Sequence, residues 1–116
     1  MLNEYELATR LAAVGFDILR PHEMTVKDQI GAFSPTDLVV GPAGSAMFNA
    51  VFCHPGTVLV DIESQPNWMF AHQCLFCSCG LRFGIFEAKA DSSDLNKPHQ
   101  PFRVNIDALL SHLSAL

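Results

Sequence analysis

Asp37-Leu38-Val39-Val40-Gly41-Pro42-Ala43-Gly44-Ser45-Ala46-Met47-Phe48-Asn49 is the segment with the clearest structural pattern in this chain. Its apolar run does not alternate with polar residues, which is typical of a strand covered on both faces. A Gly/Pro turn follows, and small residues then begin a helix. A strand that leads through a tight turn into a helix N-terminus brings several unpaired backbone N–H groups together. The segment therefore predicts an anion site, because the helix dipole adds partial positive charge there.

Helices and strands are predicted to alternate before this segment. Asn3 and Glu6 resemble a capping box and predict a helix over 4–14, ended by Gly15. Residues 16–19 follow as a short predicted strand. The pair Thr25 and Asp28 predicts the start of a second helix, which ends near Ser34-Pro35.

The alternation continues after the segment. We expect a third helix over about 46–52 and a strand over 57–62, which is rich in β-branched residues. The remaining expectations are a helix over 68–79 capped by Asn67 and ended by Gly80, a strand over 81–88, an exposed loop over 90–101, and a last helix capped by Asn105.

This order predicts one α/β domain over residues 1–116. The predicted fold is a three-layer, Rossmann-like half with a mostly parallel sheet of about four strands. A Rossmann-type half usually begins with a strand, whereas this chain begins with a predicted helix. We therefore expect either that the first strand is absent or that a partner covers an exposed sheet edge. If a partner covers the edge, we expect a homo-oligomer formed through it.

Composition narrows the functional classes. The chain has 116 residues, a formal net charge of −5 and seven Lys and Arg residues, which argues against broad electrostatic binding of nucleic acid or of an anionic membrane. The N-terminal residues lack the pattern of a signal peptide, and no apolar run approaches the roughly 18 residues of a membrane span. We therefore predict a cytoplasmic protein whose four cysteines are reduced.

A cysteine-rich segment raises the alternative of a metal site. Cys74, Cys77 and Cys79, with His72 and His54, are residue types that bind zinc. On a helix, however, Cys79 points about 160° away from Cys77, and no second cysteine pair exists. We predict no metal site, and a small Cys/His metal-binding protein remains the third hypothesis.

Several motifs stand in the order found in one known family. They are Asn3-Glu4, Val14-Gly15-Phe16, Gln29-Ile30, Val39-Val40-Gly41-Pro42-x-Gly44-Ser45, Asn49, Phe52, Pro55-Gly56-Thr57 and Val60-Asp61-Ile62. Together they resemble the C-terminal part of glycosyltransferase family 61, once described as capsular-polysaccharide-biosynthesis-like proteins. The resemblance runs from Asn3 to about Phe83.

The resemblance implies a function and a site. Family 61 proteins transfer a sugar from a nucleotide donor to a polysaccharide or glycan, and they resemble GT-B enzymes whose C-terminal domain binds the donor. It implies that the chain binds a nucleotide sugar as substrate, without a cofactor. The donor-binding residues that it implies are Gly41, Gly44, Ser45, Ala46, Asn49 and Asp61. Asp61 would bind a ribose hydroxyl from the end of its strand, and Arg82 or Arg103 would help to hold the diphosphate.

Two departures from the family pattern leave the catalytic residues unknown. Ala43 stands where the family commonly has a histidine, and the chain is too short to include an acceptor domain. The first hypothesis is therefore a nucleotide-sugar-binding domain of a family 61-like glycosyltransferase, incomplete alone and completed by a separate chain that supplies the acceptor domain. The alternative is a non-catalytic, self-associating α/β module derived from that family.

Overall fold

The computed structural model describes residues 1–65, 69–90 and 101–116, and its centre is a parallel sheet of three strands. These are β1 (Leu38–Pro42), β2 (Val58–Glu63) and β3 (Arg82–Glu87), in the order β1-β2-β3. Val58 of β2 lies opposite Leu38 of β1 and Arg82 of β3. The parallel sheet with its intervening helices confirms the predicted α/β, Rossmann-like fold class.

Helices cover both faces of the sheet. They are α1 (Glu4–Ala13), α2 (Val26–Phe33), α3 (Phe70–Ser78), α4 (Ile106–Ser114) and a 3₁₀ helix over Ser45–Phe52. Val60 and Ile62 of β2 belong to one core cluster with residues of α1 and α4. Leu59 belongs to a second cluster with Phe33, Met47 and Phe76, from α2, the 3₁₀ helix and α3. Since successive strand side chains point to opposite faces, these two clusters define three layers.

Two of the predicted N-caps are confirmed and one is wrong. The side chain of Thr25 accepts a hydrogen bond from the N–H of Asp28, and that of Asn105 accepts one from Ala108. Asn3 makes no capping bond to α1. Its amide instead donates to the carbonyl of Val104 over 2.9 Å and accepts from the Val104 N–H over 3.1 Å. A tertiary partner, absent from the local sequence, takes the side chain that would otherwise cap the helix.

The predicted strand at 16–19 is wrong, because these residues adopt no regular secondary structure. An extended segment becomes a strand only when a neighbour accepts its backbone hydrogen bonds, and a cleft separates residues 16–19 from β1. The parallel sheet therefore has three strands instead of about four. A separate antiparallel ribbon joins β4 (Lys89–Ala90) to β5 (Phe102–Arg103).

The remaining elements agree with the sequence within a few residues. The helix expected over 46–52 is the 3₁₀ helix, and α3 and β3 are slightly shorter than the spans predicted for them. Gly80 has φ +80° and ends α3 as expected. The Asn67 cap and most of the loop over 90–101 lie outside the described residues. Within the described residues, no helix is long and apolar enough to cross a membrane.

Candidate functional site

The carboxyl ends of the three strands meet at one edge of the sheet, which we call the carboxyl edge. It is formed by Pro42, Glu63 and Glu87, the last residues of β1, β2 and β3. In open parallel sheets, ligands bind outside this edge. The loop that follows β1 lies here, and the N–H of Ala43 continues the ladder with a 3.0 Å bond to the carbonyl of Ile62.

The loop opens into the first turn of the 3₁₀ helix. Gly44 is extended, with φ 161°, and a Cβ placed there meets no atom within 4 Å. The first i→i+3 bond of the turn runs from the N–H of Met47 to the carbonyl of Gly44 over 3.1 Å. The N–H groups of Ser45 and Ala46 precede that bond, and both residues are exposed. The predicted cluster of backbone donors therefore belongs to two exposed residues that follow the carboxyl edge.

Gly41 and Asn49 support this loop, the first through close packing and the second through a hydrogen bond. A Cβ at Gly41 would lie 2.9 Å from Sδ of Met47, so glycine lets the 3₁₀ helix pack closely against β1. The side-chain amide of Asn49 donates to the carbonyl of Ala46 over 3.0 Å. The structure therefore brings Gly41, Gly44–Ala46 and Asn49 together around one turn, and ligand contact by these residues stays a prediction.

Asp61 lies two residues before the carboxyl edge, inside β2. The prediction that it ends its strand is wrong, because β2 continues to Glu63. Asp61 is fully buried opposite Gly41, and its Oδ2 lies 3.4 Å from Nδ1 of His72. Its second oxygen, Oδ1, is buried and accepts no hydrogen bond from any described residue. A ribose contact by Asp61 therefore requires displacement of the groups that cover it, and that contact also stays a prediction.

The buried position changes the acidity of Asp61. Burial raises the pKa of this carboxyl from 3.8 to about 6, and the negative charge of Glu63 acts in the same direction. The hydrogen bond and the charge of His72 oppose the rise. Asp61 consequently changes its charge near pH 6, within the interior of the domain.

His72 is the partner of Asp61, a role that the sequence alone does not indicate. The sequence suggests this histidine only as a zinc ligand. The structure shows it buried on α3, with its ring 4.9 Å from Phe48 and 5.9 Å from Phe76. The only sequence signal was a histidine four residues before Phe76 on a predicted helix, since these positions share a face. Its pairing with Asp61 depends on how α3 packs on the sheet.

Glu63 is the acidic residue that occupies the end of β2, and sequence reasoning missed it. Its Oε1 accepts bonds from the N–H groups of Ser64 over 2.7 Å and Gln65 over 3.2 Å, so the carboxylate holds the turn after the strand. It also borders a pocket of about 340 Å³ at the carboxyl edge. The other lining residues are Met1, Leu2, Pro42, Ala43, Pro101 and Phe102.

Only one of the two arginines considered for phosphate binding lies near the pocket. Arg82 begins β3 beside Val58, so it is at the edge of the sheet opposite the loop. Arg103 follows the pocket residue Phe102 and pairs with Lys89 across the β4–β5 ribbon. Both cations are exposed, and neither forms an ion pair with a described residue. The ribbon therefore carries two exposed positive charges, one of them next in sequence to the pocket residue Phe102, but neither Lys89 nor Arg103 is among the residues that line the pocket.

The cysteines do not assemble into a ligand cluster in the described part of the chain. Cys53 is buried, whereas Cys74 and Cys77 are exposed on α3. Among residues 1–65, 69–90 and 101–116, no group of three or more His, Cys, Asp or Glu side chains could hold a metal ion. These residues thus provide no support for the Cys/His metal-binding hypothesis.

Comparison with known proteins identifies the family. The sequence profile described as Glycosyltransferase 61 matches residues 1–60. The chain belongs to the glycosyltransferase 61 family. The match includes the whole of the loop that follows β1 but ends before Asp61, whereas the resemblance had been expected to run to about Phe83. No curated protein and no solved structure matches the chain significantly.

Proposed function

We propose that this chain binds the diphosphate of a nucleotide sugar at the loop after β1 and serves glycosyl transfer to a glycan. The observation that carries the proposal is the pair of N–H groups of the exposed residues Ser45 and Ala46, which precede the first bond of the 3₁₀ helix within the segment that matches the family. Backbone donors at the start of a helical turn bind phosphate without a side-chain charge.

The proposed chemistry is donor positioning with electrostatic stabilisation of the leaving diphosphate. Donors that are held in place before the reaction stabilise developing negative charge without reorganisation. Lys89 and Arg103 lie on the ribbon that also contains the pocket residue Phe102, so these exposed cations would attract the same ligand from a distance. Asp61 is fully buried, which favours a supporting role through His72 over direct contact with the donor. The described residues form one α/β domain, so we assign binding of the acceptor to a further domain or chain outside them.

A thermal-shift titration with nucleoside diphosphates and their sugars tests the proposal. A ligand at 100 times its dissociation constant adds roughly 2.7 kcal/mol of stability, or several degrees in Tm for a domain of this size. We expect one nucleotide to raise the Tm and Gly44→Asp to abolish the shift, because its carboxylate would repel the diphosphate. Gly31→Asp is the matched control, since an added Cβ at Gly31 also meets no atom within 4 Å but lies on α2.

The outcomes separate binding from folding. Both glycine variants should retain the Tm of the parent chain to within a few degrees when no nucleotide is present. A shift that survives in Gly44→Asp would place the ligand elsewhere, and the absence of any shift across the panel would contradict the proposal.

A non-catalytic module is the second candidate function. The observation that favours it is Ala43, which leaves the loop without an imidazole. In this case the chain would bind no nucleotide and would act through a protein partner. Sedimentation equilibrium together with the nucleotide titration distinguishes the two candidates. We expect the non-catalytic module to self-associate and its Tm to remain unchanged by every nucleotide.

A further inference from the structure

The outer edge of β1 presents unpaired backbone groups. The other edge of β1 pairs with β2. Just before β1, the carbonyl of Asp37 accepts a hydrogen bond from the N–H of Val58 over 2.9 Å, and just after β1 the N–H of Ala43 donates to the carbonyl of Ile62. Backbone groups along a strand point alternately to its two sides, so the odd-numbered residues face β2. The N–H and C=O groups of Leu38 and Val40 therefore point away from β2, and no strand of the described residues pairs with them.

A second unpaired backbone lies across from this edge. Residues 17–19 make no backbone hydrogen bond to any described residue, although they precede a turn in which Arg20 accepts from Glu23. These residues and all of β1 line the same cleft. Two stretches of main chain whose donors and acceptors bond to no described backbone group thus line one space.

The size of the cleft matches one strand. Its volume is about 970 Å³. A five-residue strand is about 17 Å long, takes up about 4.8 Å between its neighbours in a sheet and about 10 Å between packed layers, so it fills roughly 800 Å³. A single extended segment therefore fits between β1 and residues 17–19 and would convert a three-stranded sheet into a wider one.

We propose that this cleft is a docking slot for one extended strand of a second polypeptide, which pairs with Leu38 and Val40 on one side and with residues 17–19 on the other. An extended peptide has donors and acceptors on both of its edges, so it can satisfy both walls. A second copy that pairs β1 with β1 leaves residues 17–19 without a paired strand, whereas a separate strand pairs with both walls, so we favour the separate strand.

The surroundings of the slot define the side chains of that strand. Leu38 and Val40 pack against the core cluster on the side of α1 and α4. Phe33 and Met47, which belong to the opposite cluster, also line the cleft. Since helices cover both sides, the incoming strand should be aliphatic on both faces, as buried parallel strands are. Pairing should stop before Pro42, because its outward-facing position has no N–H.

Hydrogen exchange with a synthetic peptide tests the slot. The probe has five consecutive Val, Leu and Ile residues between two lysines at each end, and the control peptide has proline at the centre. In the chain alone, the amides of Leu38 and Val40 should exchange faster than those of Val39 and Gly41. The probe, but not the control peptide, should slow exchange at Leu38 and Val40 at least tenfold.

Variants on both walls locate the binding. Val40→Pro removes an N–H that points into the slot and should weaken probe binding at least tenfold, whereas Val40→Thr keeps the N–H and a similar shape. Ile18→Pro and Leu19→Pro alter the opposite wall without breaking any native backbone bond, and at least one should have the same effect. They keep the test decisive even where Val40→Pro fails to fold.

Three results would overturn the proposal. They are slow exchange of Leu38 and Val40 in the dilute chain, absence of probe binding at millimolar concentration to the folded chain, and protection that depends on protein concentration without any peptide. The last would make a second copy the occupant. Gly41 and Ala46 of the proposed donor site also line this cleft, but none of these readouts involves a nucleotide, so the slot and the donor site are tested separately.

Discussion

Oδ2 of Asp61 lies 3.4 Å from Nδ1 of His72, between the central strand and α3, while Oδ1 of the same carboxylate is buried and has no partner within residues 1–65, 69–90 and 101–116. A carboxylate in this setting is stabilised by one imidazole and destabilised by its burial. Leu59, two residues earlier on the same face of β2, packs in an apolar cluster. Asp61 instead forms a polar pair with His72 on this face of the sheet.

The charge of Asp61 should make the stability of the domain depend on pH. Its folded-state pKa of about 6 lies above the ordinary 3.8, so the folded state binds more protons between these values. The stabilising contribution of Asp61 is therefore complete below pH 3.8 and is lost as the pH rises through 6. Asp61→Asn should gain stability relative to the parent by up to about 3 kcal/mol between pH 4 and pH 7.

Urea unfolding of both proteins at pH 4, 5, 6 and 7 measures this difference. Asp17→Asn is the control, because Asp17 is exposed and makes no hydrogen bond within the described residues. Equal pH profiles for Asp61→Asn and the parent chain would contradict the prediction.

Removal of the imidazole should cost stability at neutral pH. His72→Phe keeps an aromatic ring beside Phe48 and Phe76 but leaves both oxygens of Asp61 without a hydrogen bond from that ring. Leaving a buried acceptor unsatisfied costs about 1–3 kcal/mol, and more when it is charged. The double variant with Asp61→Asn should recover part of the loss. A double-mutant cycle in urea tests this, and strictly additive effects would show that the pair is not coupled.

The two glycines of the loop should differ in their tolerance of a side chain. Gly41→Val must displace Sδ of Met47, so we expect a loss of about 1–3 kcal/mol. Gly44→Ala meets no atom within 4 Å and should change stability by less than about 0.5 kcal/mol. Thermal unfolding of the two variants compares them directly, and an equal loss at both positions would refute the packing of the 3₁₀ helix on β1.

The charges of the ribbon should contribute to nucleotide affinity. Arg103→Ala is expected to weaken binding of the nucleotide by about threefold to tenfold, and to reduce its dependence on salt, because exposed charges are screened. Arg82→Ala removes the same charge from the opposite edge of the sheet and should leave the affinity unchanged. Isothermal titration at low and high salt measures both, and a similar loss in the two variants would show that only net charge matters.

Asn3 should stabilise the domain through its tertiary bond. Asn3→Ala removes two hydrogen bonds to Val104 and should lower the free energy of unfolding by about 1–3 kcal/mol. Asn3→Ser offers a capping oxygen to α1 but is too short to replace the amide. If Asn3→Ser restored full stability in urea, local capping would explain the role of Asn3 after all.

Local patterns were sufficient for most of the elements. The unbroken aliphatic run at Leu38–Val40 and the β-branched run from Val58 predicted two strands that the structure confirms, although β1 is only half-buried. Thr25, Gly80 and Asn105 marked helix ends that the structure also confirms. These features depend on residues within one turn or one strand, so their physical causes are written in neighbouring positions. The donor loop was predictable for the same reason, because it is one continuous segment.

Features that depend on distant residues were not predictable from those patterns. Residues 16–19 have the composition of a strand but lack a paired neighbour, and Asn3 has the composition of a cap but bonds to Val104. Asp61 and His72 are 11 positions apart in the sequence, and nothing in that stretch indicated that the packing of α3 would bring the two side chains together. Short-range propensities set helices, strands and turns along this chain, whereas pairing across the sheet and the burial of charge follow from how those elements pack.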